Sequence, residues 1–296
     1  MPSYRTLRYE IADHICTITL NRPAQRNAQS TELLHELDQA ILAAGADREV
    51  RVIVLAGEGD HFSAGHDLGT AEEKAWREAN PIEPGIRGFY DRTWQIHLDS
   101  HLRWRNVPTP MICAVQGYCI FGGWMIASTS DVVFAADDAM FLASLFQYFS
   151  VPWDIHPRRA KEILFQGKFI DAAQAKELGL VNRVVPRAGL MAAVMAYAAD
   201  VAANDPQQMR MVKRAVNSAQ DTMGFTAAVT GAHSHYMLTW ATEKDPGYTL
   251  AVPGQARRPM VQVALDRYRR DRDAAETQAT GAQTADTGRQ GADGPG

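Results

Sequence analysis

The stretch Val50-Arg-Val-Ile-Val-Leu-Ala-Gly-Glu-Gly-Asp-His-Phe-Ser-Ala-Gly-His-Asp-Leu68 decides how the chain is read. Val50–Ala56 is a short β-branched run closed by Gly57, the profile of a strand buried on both faces. A glycine-bearing exit from such a strand invites a dinucleotide loop. That reading fails, because Phe62 replaces the third glycine of G-x-G-x-x-G and Glu58 and Asp60 would repel a pyrophosphate. A nucleophile elbow fails too, since His61 stands where the glycine before Ser63 must be. His61, His66, Asp60 and Asp67 read as a solvated loop and no metal site is expected, as no H-E-x-x-H helix supports one. What remains is a tight turn in which Gly65 admits a close backbone approach and exposes the next N–H.

Outward from this turn the pattern is α/β. His14–Leu20 alternates as a half-buried strand does, Asn21-Arg-Pro23 breaks it, and Ser30 is placed to cap a helix carrying Leu33, Leu34, Leu37, Ile41 and Leu42. Met111–Val115 and Asp131–Ala135 repeat the buried-strand profile, with helical stretches between. Residues 69–104, broken by Pro81, Pro84 and Gly85, read as a mobile helical excursion over a site. Beyond Pro157 the strands are expected to stop and helices to follow. The expected organisation is a core over 1–187, a helical lobe over 188–268, and a disordered tail over 269–296, which has no large apolar residue.

The second informative stretch is Gln116-Gly-Tyr-Cys-Ile-Phe-Gly-Gly-Trp-Met125, again just after a strand. Gly122 and Gly123 open a helix, where backbone N–H groups lack intrahelical acceptors and the dipole adds positive charge. Paired with the Gly65 turn, this offers two converging backbone donors. An oxyanion hole requires such a pair, each donor being worth on the order of 10²–10³ in rate.

The 296 residues carry 30 basic and 34 acidic side chains, and a net charge of -4 leaves no electrostatic footprint for nucleic acid or an anionic membrane. No apolar run approaches the roughly 20 residues of a membrane helix. The opening residues lack the apolar core of a secretory signal. Cys16, Cys113 and Cys119 are too few and too irregular for a disulfide framework. A reduced, cytoplasmic protein is the expectation.

Several spaced motifs now fall into order: Leu20-Asn-Arg-Pro23 with Arg26-Asn-Ala28, Val50–Gly57, Phe62–Leu68, Pro110–Tyr118, Phe121-Gly-Gly123, Ser130-Asp131, and Ala175–Pro186. In this sequence and spacing they resemble the enoyl-CoA hydratase/isomerase (crotonase) superfamily over roughly residues 5–245. The resemblance implies a spiral of ββα units with a carboxy-terminal helical trimerisation lobe, assembled as a homotrimer or homohexamer. It implies an acyl-CoA thioester as substrate, with no separate cofactor, and a place in fatty acid metabolism. By motif position, the N–H groups of His66 and Gly122 would bind the thioester oxygen, so the His66 side chain needs no catalytic role. Ala64, Asp67 and Leu68 would lie along the adenine end of CoA, with Arg22 and Asn27-Ala28 nearby. Arg267, Arg269, Arg270 and Arg272 are either phosphate contacts or a solvated helix face.

The resemblance thins at the proton-transfer positions. The family's hydratases carry one carboxylate three residues after the oxyanion glycine, here Met125, and a second four residues after the Phe141 position, here Leu145. Neither side chain can do acid-base work. Asp154, in Val-Pro-Trp-Asp, is the expected replacement, unless it caps the helix at Pro157; Tyr148 is a candidate at the substrate, or a core tyrosine. His156 is as open to a surface role as to a chemical one, and His233 and His235 receive no role. The leading expectation is a lyase adding water to an enoyl-CoA. The alternatives are a decarboxylase of a malonyl-type ester and a non-catalytic acyl-CoA-binding trimer.

Overall fold

The computed structural model describes residues 3–143, 145–241 and 259–290. The strands are β1 (Leu7–Ala12), β2 (Ile15–Leu20), β3 (Val52–Gly57), β4 (Met111–Val115), β5 (Tyr118–Ile120), β6 (Val132–Ala136), β7 (Met140–Leu142), β8 (Ile170–Asp171) and β9 (Arg183–Val185). The helices are α1 (Thr31–Ala46), α2 (Ala71–Ala79), α3 (Ile86–Thr93), α4 (Ser100–Asn106), α5 (Gly122–Ala127), α6 (Val151–Asp154), α7 (Pro157–Gln166), α8 (Ala172–Glu177), α9 (Leu190–Ala202), α10 (Pro206–Thr222), α11 (Phe225–Ala241) and α12 (Pro259–Gln290). A π-helical turn, Trp94–Asp99, joins α3 to α4.

Six strands pair in the order β1-β2-β3-β4-β6-β9, with only the β1/β2 hairpin antiparallel. A second sheet, β5-β7-β8, runs from the turns at the end of the first. This is the α/β spiral of ββα units. Every residue of β4 is buried, and so are five of the six in β3, which is why both read as unbroken apolar runs. Ser30 caps α1 as its position predicts, its hydroxyl accepting from the Leu33 N–H at 3.1 Å.

One expectation needs correction. Strands do not stop at Pro157: β8 and β9 follow, but at two and three residues they show no period and depend on β7 and β6 as partners. The helices after 187 form the carboxy-terminal helical region, and they pack on the core. Leu190, Val194, Ala198 and Ala202 of α9 share one core cluster with Val52, Val54, Ile112 and Phe134 of the large sheet, and α9 to α11 belong to the same compact unit. Residues 269–290 continue α12, where Arg272 pairs with Glu276 one turn on at 3.6 Å; residues 291–296 of the expected tail lie outside the described residues.

A second compact unit contains Gln166–Phe169 and α12. Within it Lys168 Nζ meets Asp271 Oδ2 at 2.6 Å and Arg267 donates to the Gln166 carbonyl. Arg269, Arg270 and Arg272 pair with Asp266, Asp271 and Asp273 on their own helix. Among the described residues no helix is long and apolar enough to cross a membrane.

The excursion over 69–104 is anchored at both ends. Glu73, 1% exposed, accepts from the Thr31 N–H at 2.7 Å and from Arg77 Nε at 2.6 Å, tying α2 to α1. Its later half is core, because Leu98, His101 and Trp104 recur at helical spacing and all are fully buried. This places the π turn and its His97 inside the molecule's wall.

Candidate active site

Two turns meet at the ends of the central strands. Ser63 bridges to Cys119: its N–H donates to the Tyr118 carbonyl at 2.9 Å, and its carbonyl accepts from Ile120 N at 3.0 Å. Gln29 bridges to His66 in the same way, taking the Gly65 carbonyl at 2.8 Å and the Asp67 N–H at 2.9 Å. In a parallel bridge of this kind the central residue's own N–H points away from its partner, so His66 turns its amide away from Gln29. Gly65 sits between at φ +84°, and a Cβ there would lie 2.8 Å from the Ile120 carbonyl oxygen and 3.6 Å from the Gly122 nitrogen. Only glycine permits that approach.

Phe121, at φ +44°, is a strained residue that turns the chain into α5. The next amide, Gly122, is the first of the helix and has no intrahelical acceptor. A Cβ on Gly122 would overlap Gln29 Oε1 and lie 2.9 Å from His66 Cε1, so the His66 ring packs directly beside it. The turns that carry the His66 and Gly122 amides, expected as an oxyanion pair, therefore lie side by side. The sequence-based view gave the His66 imidazole no role, yet it faces the same spot.

His61 corrects the solvated-loop reading. Its ring stacks on Tyr118 at 4.5 Å and its Nδ1 accepts from the Tyr118 N–H at 3.2 Å, which pins the glycine-bearing exit to β5.

The residues expected along CoA shape this turn through their own bonds. Asn27 is fully buried; its Oδ1 accepts from Arg22 N at 2.9 Å, and its Nδ2 donates to the carbonyls of Glu58 and His61 at 2.9 and 2.8 Å. Arg22 and Asp67 form a buried ion pair at 2.9 Å. Burial alone would raise the Asp67 carboxyl, but Thr70, the Gly69 amide and Arg22 all donate to it, and the net effect is a depressed pKa. Their side chains are thus committed to each other. Ala64 donates its N–H to the Arg26 carbonyl, and Leu68 is exposed.

Asp154 is not at the oxyanion pair. Its Oδ2 accepts from Trp124 Nε1 at 2.9 Å, Ser128 Oγ at 2.7 Å and Ser150 Oγ at 2.8 Å, clamping α6 to the carboxy-terminal end of α5. Gly122 begins that helix, roughly 9 Å away along its axis at 1.5 Å per residue. Asp154 lines a different cavity of about 390 Å³ with Ser128, Asp131, Arg105 and Lys213. Burial raises its carboxyl pKa, while the three donors pull the other way. It does not cap α7 either: His156 does, its Nδ1 accepting from Arg158 N at 3.3 Å.

A test separates a clamp from an acid. Asp154→Ala strands the buried Trp124 N–H and is expected to cost about 2–4 kcal/mol. Asp154→Asn keeps an acceptor and is expected to retain both stability and turnover. Folded Asp154→Asn protein with turnover lost would return this carboxylate to the chemistry.

Met125 is fully buried in a cluster with Leu98, Tyr148, Phe225 and Val229, and Leu145 is 43% exposed. Tyr148 is fully buried, its hydroxyl is unpartnered, and burial drives its pKa upward. Sequence reasoning missed the groups beside His66. The His97 ring lies 4.5 Å from the His66 ring, and Gln147 Oε1 lies 2.5 Å from His66 Nε2. Gln147 Nε2 donates to Tyr236 Oη at 3.1 Å. His97 and His101, four apart in an aromatic stretch, were the available signal; nothing pointed to Gln147. His233 has its Nε2 3.0 Å from Thr93 Oγ1, and the His235 ring lies 6.4 Å from Phe146. Among the described residues no group of His, Cys, Asp and Glu is arranged to hold a metal ion.

A ββα spiral with two glycine-dependent amide turns at its strand ends is the crotonase architecture. The chain belongs to the enoyl-CoA hydratase/isomerase family, whose model matches residues 10–245. It is 34% identical over 259 residues to EchA13 of Mycobacterium tuberculosis, covering 80% of this chain and 81% of that one. It is also similar to the crystal structure of a probable enoyl-CoA hydratase from Mycobacterium smegmatis, with TM-score 0.72 and 41% identity over 78% of this chain and 93% of that one. An enoyl-CoA hydratase/isomerase from Xanthobacter autotrophicus has TM-score 0.73 and 34% identity, over 80% and 87% of the two chains.

Proposed function

We propose that this protein is an acyl-CoA lyase that adds water to, or removes it from, an α,β-unsaturated thioester. The observation that carries the reading is the close approach of the Gly65 turn, which carries the His66 amide, to the Gly122 amide. Two N–H groups aimed at one point stabilise negative charge developing on a thioester oxygen, which is the charge an enolate acquires. Membership of the family and the relatives' own descriptions as enoyl-CoA hydratases support the same chemistry. Phe89 against Tyr236 and Trp240 of α11, with Tyr90 stacked on Trp94, makes an aromatic wall that would roof an acyl chain. Exposed Met211, Val212 and Val216 on α10 support assembly as a homotrimer or homohexamer.

The test is mass spectrometry of an enoyl-CoA panel, beginning with crotonyl-CoA, after incubation with pure protein. Gain of one water is expected. Loss of carbon dioxide from malonyl-type esters, with enoyl-CoAs untouched, would overturn hydration in favour of decarboxylation. Retained ligand with no mass change would overturn catalysis altogether.

A further inference from the structure

Buried polar atoms without partners are rare in folded proteins, and several here border the candidate site. Among the described residues Gln29 Oε1, His97 Nδ1, His101 Nε2 and Tyr148 Oη are all buried and unbonded. Gln29 Oε1 lies against Gly122, and the His97 ring lies against His66, which itself packs on Gly122. The His101 ring is 5.3 Å from Tyr148, which shares a cluster with Met125. Gln29 and His97 thus border the turns that carry the two amides, and His101 and Tyr148 border the cluster of Met125, which stands in the first carboxylate position.

His97 sits in the π-helical turn Trp94–Asp99, an irregularity often found at functional sites because it redirects a side chain from its helical register. The neighbouring His66 is held in place. Because the Gln147 amide nitrogen donates to Tyr236, its carbonyl oxygen faces His66 and accepts a hydrogen bond from the Nε2–H. This fixes the His66 ring in orientation and tautomer beside His97.

We propose that His97 is the proton-transfer group of this enzyme, taking the place of the carboxylates absent at Met125 and Leu145, with His66 and Gln147 as positioning residues. The proposal rests on the lyase reading above. In the hydration direction, neutral His97 takes a proton from water as the water oxygen bonds to the β-carbon. The C=C electron pair moves onto the thioester oxygen between the His66 and Gly122 amides. The imidazolium then returns its proton to the α-carbon, so that one water has been added and His97 is neutral again. Burial, with His66, His101, Arg92 and His233 around it, disfavours the charged ring, so the resting imidazole is neutral and its conjugate acid gives the proton up readily to the α-carbon.

The experiment is steady-state hydration of crotonyl-CoA by wild type, His97→Gln and His97→Asn, with added imidazole as a third arm. Both variants are expected to lose about 10²-fold or more in kcat with KM within a few fold, since general acid-base catalysis contributes roughly that much. Added imidazole is expected to restore part of the rate in His97→Asn, a response that a purely structural role would not produce. Either folded variant retaining a third or more of wild-type kcat would overturn the proposal while leaving the lyase reading intact. A wild type inert toward the whole enoyl-CoA panel would instead overturn the reading itself, and this proposal with it.

Discussion

Alanine at Gly65 is expected to lower kcat/KM for crotonyl-CoA by about 10³-fold, in line with losing an oxyanion donor or more. The reason is local and steric. The new methyl would stand 2.8 Å from the Ile120 carbonyl oxygen, which is backbone and has no rotamer to yield, and 3.6 Å from the Gly122 nitrogen. It would also be held at φ +84°, where side chains other than glycine's are disfavoured, at a cost of about 1–2 kcal/mol. To relieve the contact, the 63–66 turn must slide from the 118–122 turn, and the His66 and Gly122 amides separate. Steady-state kinetics with circular dichroism on the same preparation decides the matter. A folded Gly65→Ala protein with full activity would show that these amides are not where the thioester oxygen is held.

The second large effect is thermodynamic. Asp67→Ala is expected to destabilise the protein by about 3 kcal/mol at neutral pH, because it leaves the Arg22 guanidinium buried and without its principal partner. The side chains of Arg22 and Asp67 are 8% and 2% exposed, and Glu72, 4.0 Å away, is too exposed to replace the pair. The Gly69 and Thr70 amides would lose their acceptor as well. The same pair makes stability pH-dependent with a definite sign. Since the folded Asp67 pKa lies below its unfolded value of about 4, its contribution is fully present above that value. It is lost as pH falls through the depressed folded value. Urea denaturation of wild type and Asp67→Ala at neutral and acid pH measures both. The two proteins are expected to converge in stability at low pH, and a gap that stayed constant would refute the assignment.

These two predictions concern residues that were legible in different degrees. Gly65 and Gly122 could be singled out in the chain because a glycine after a buried strand has few other uses, and because the motif order resembled a known family. Asp67 and Arg22, 45 positions apart, carried no mark of being a pair; they were expected along a ligand and turned out to bond to each other. Asp154 was misplaced for the same kind of reason. A carboxylate beside a tryptophan suggests an acid in an apolar pocket, but the tryptophan that matters is Trp124, thirty residues earlier, whose indole N–H it accepts.

Local chemistry along the chain sufficed for the long strands, for the Ser30 cap, and for the two turns with their glycines. Each of those rests on a few consecutive residues and on the period of 2 or 3.6 that burial imposes. Strands of two and three residues, the continuation of the sheet's core into α9, and the gathering of His66, His97, Gln147 and Tyr236 were decided by tertiary structure alone. They depend on contacts between residues far apart in sequence, where no local period survives and where the nearest neighbour in space sets burial, charge and hydrogen bonding.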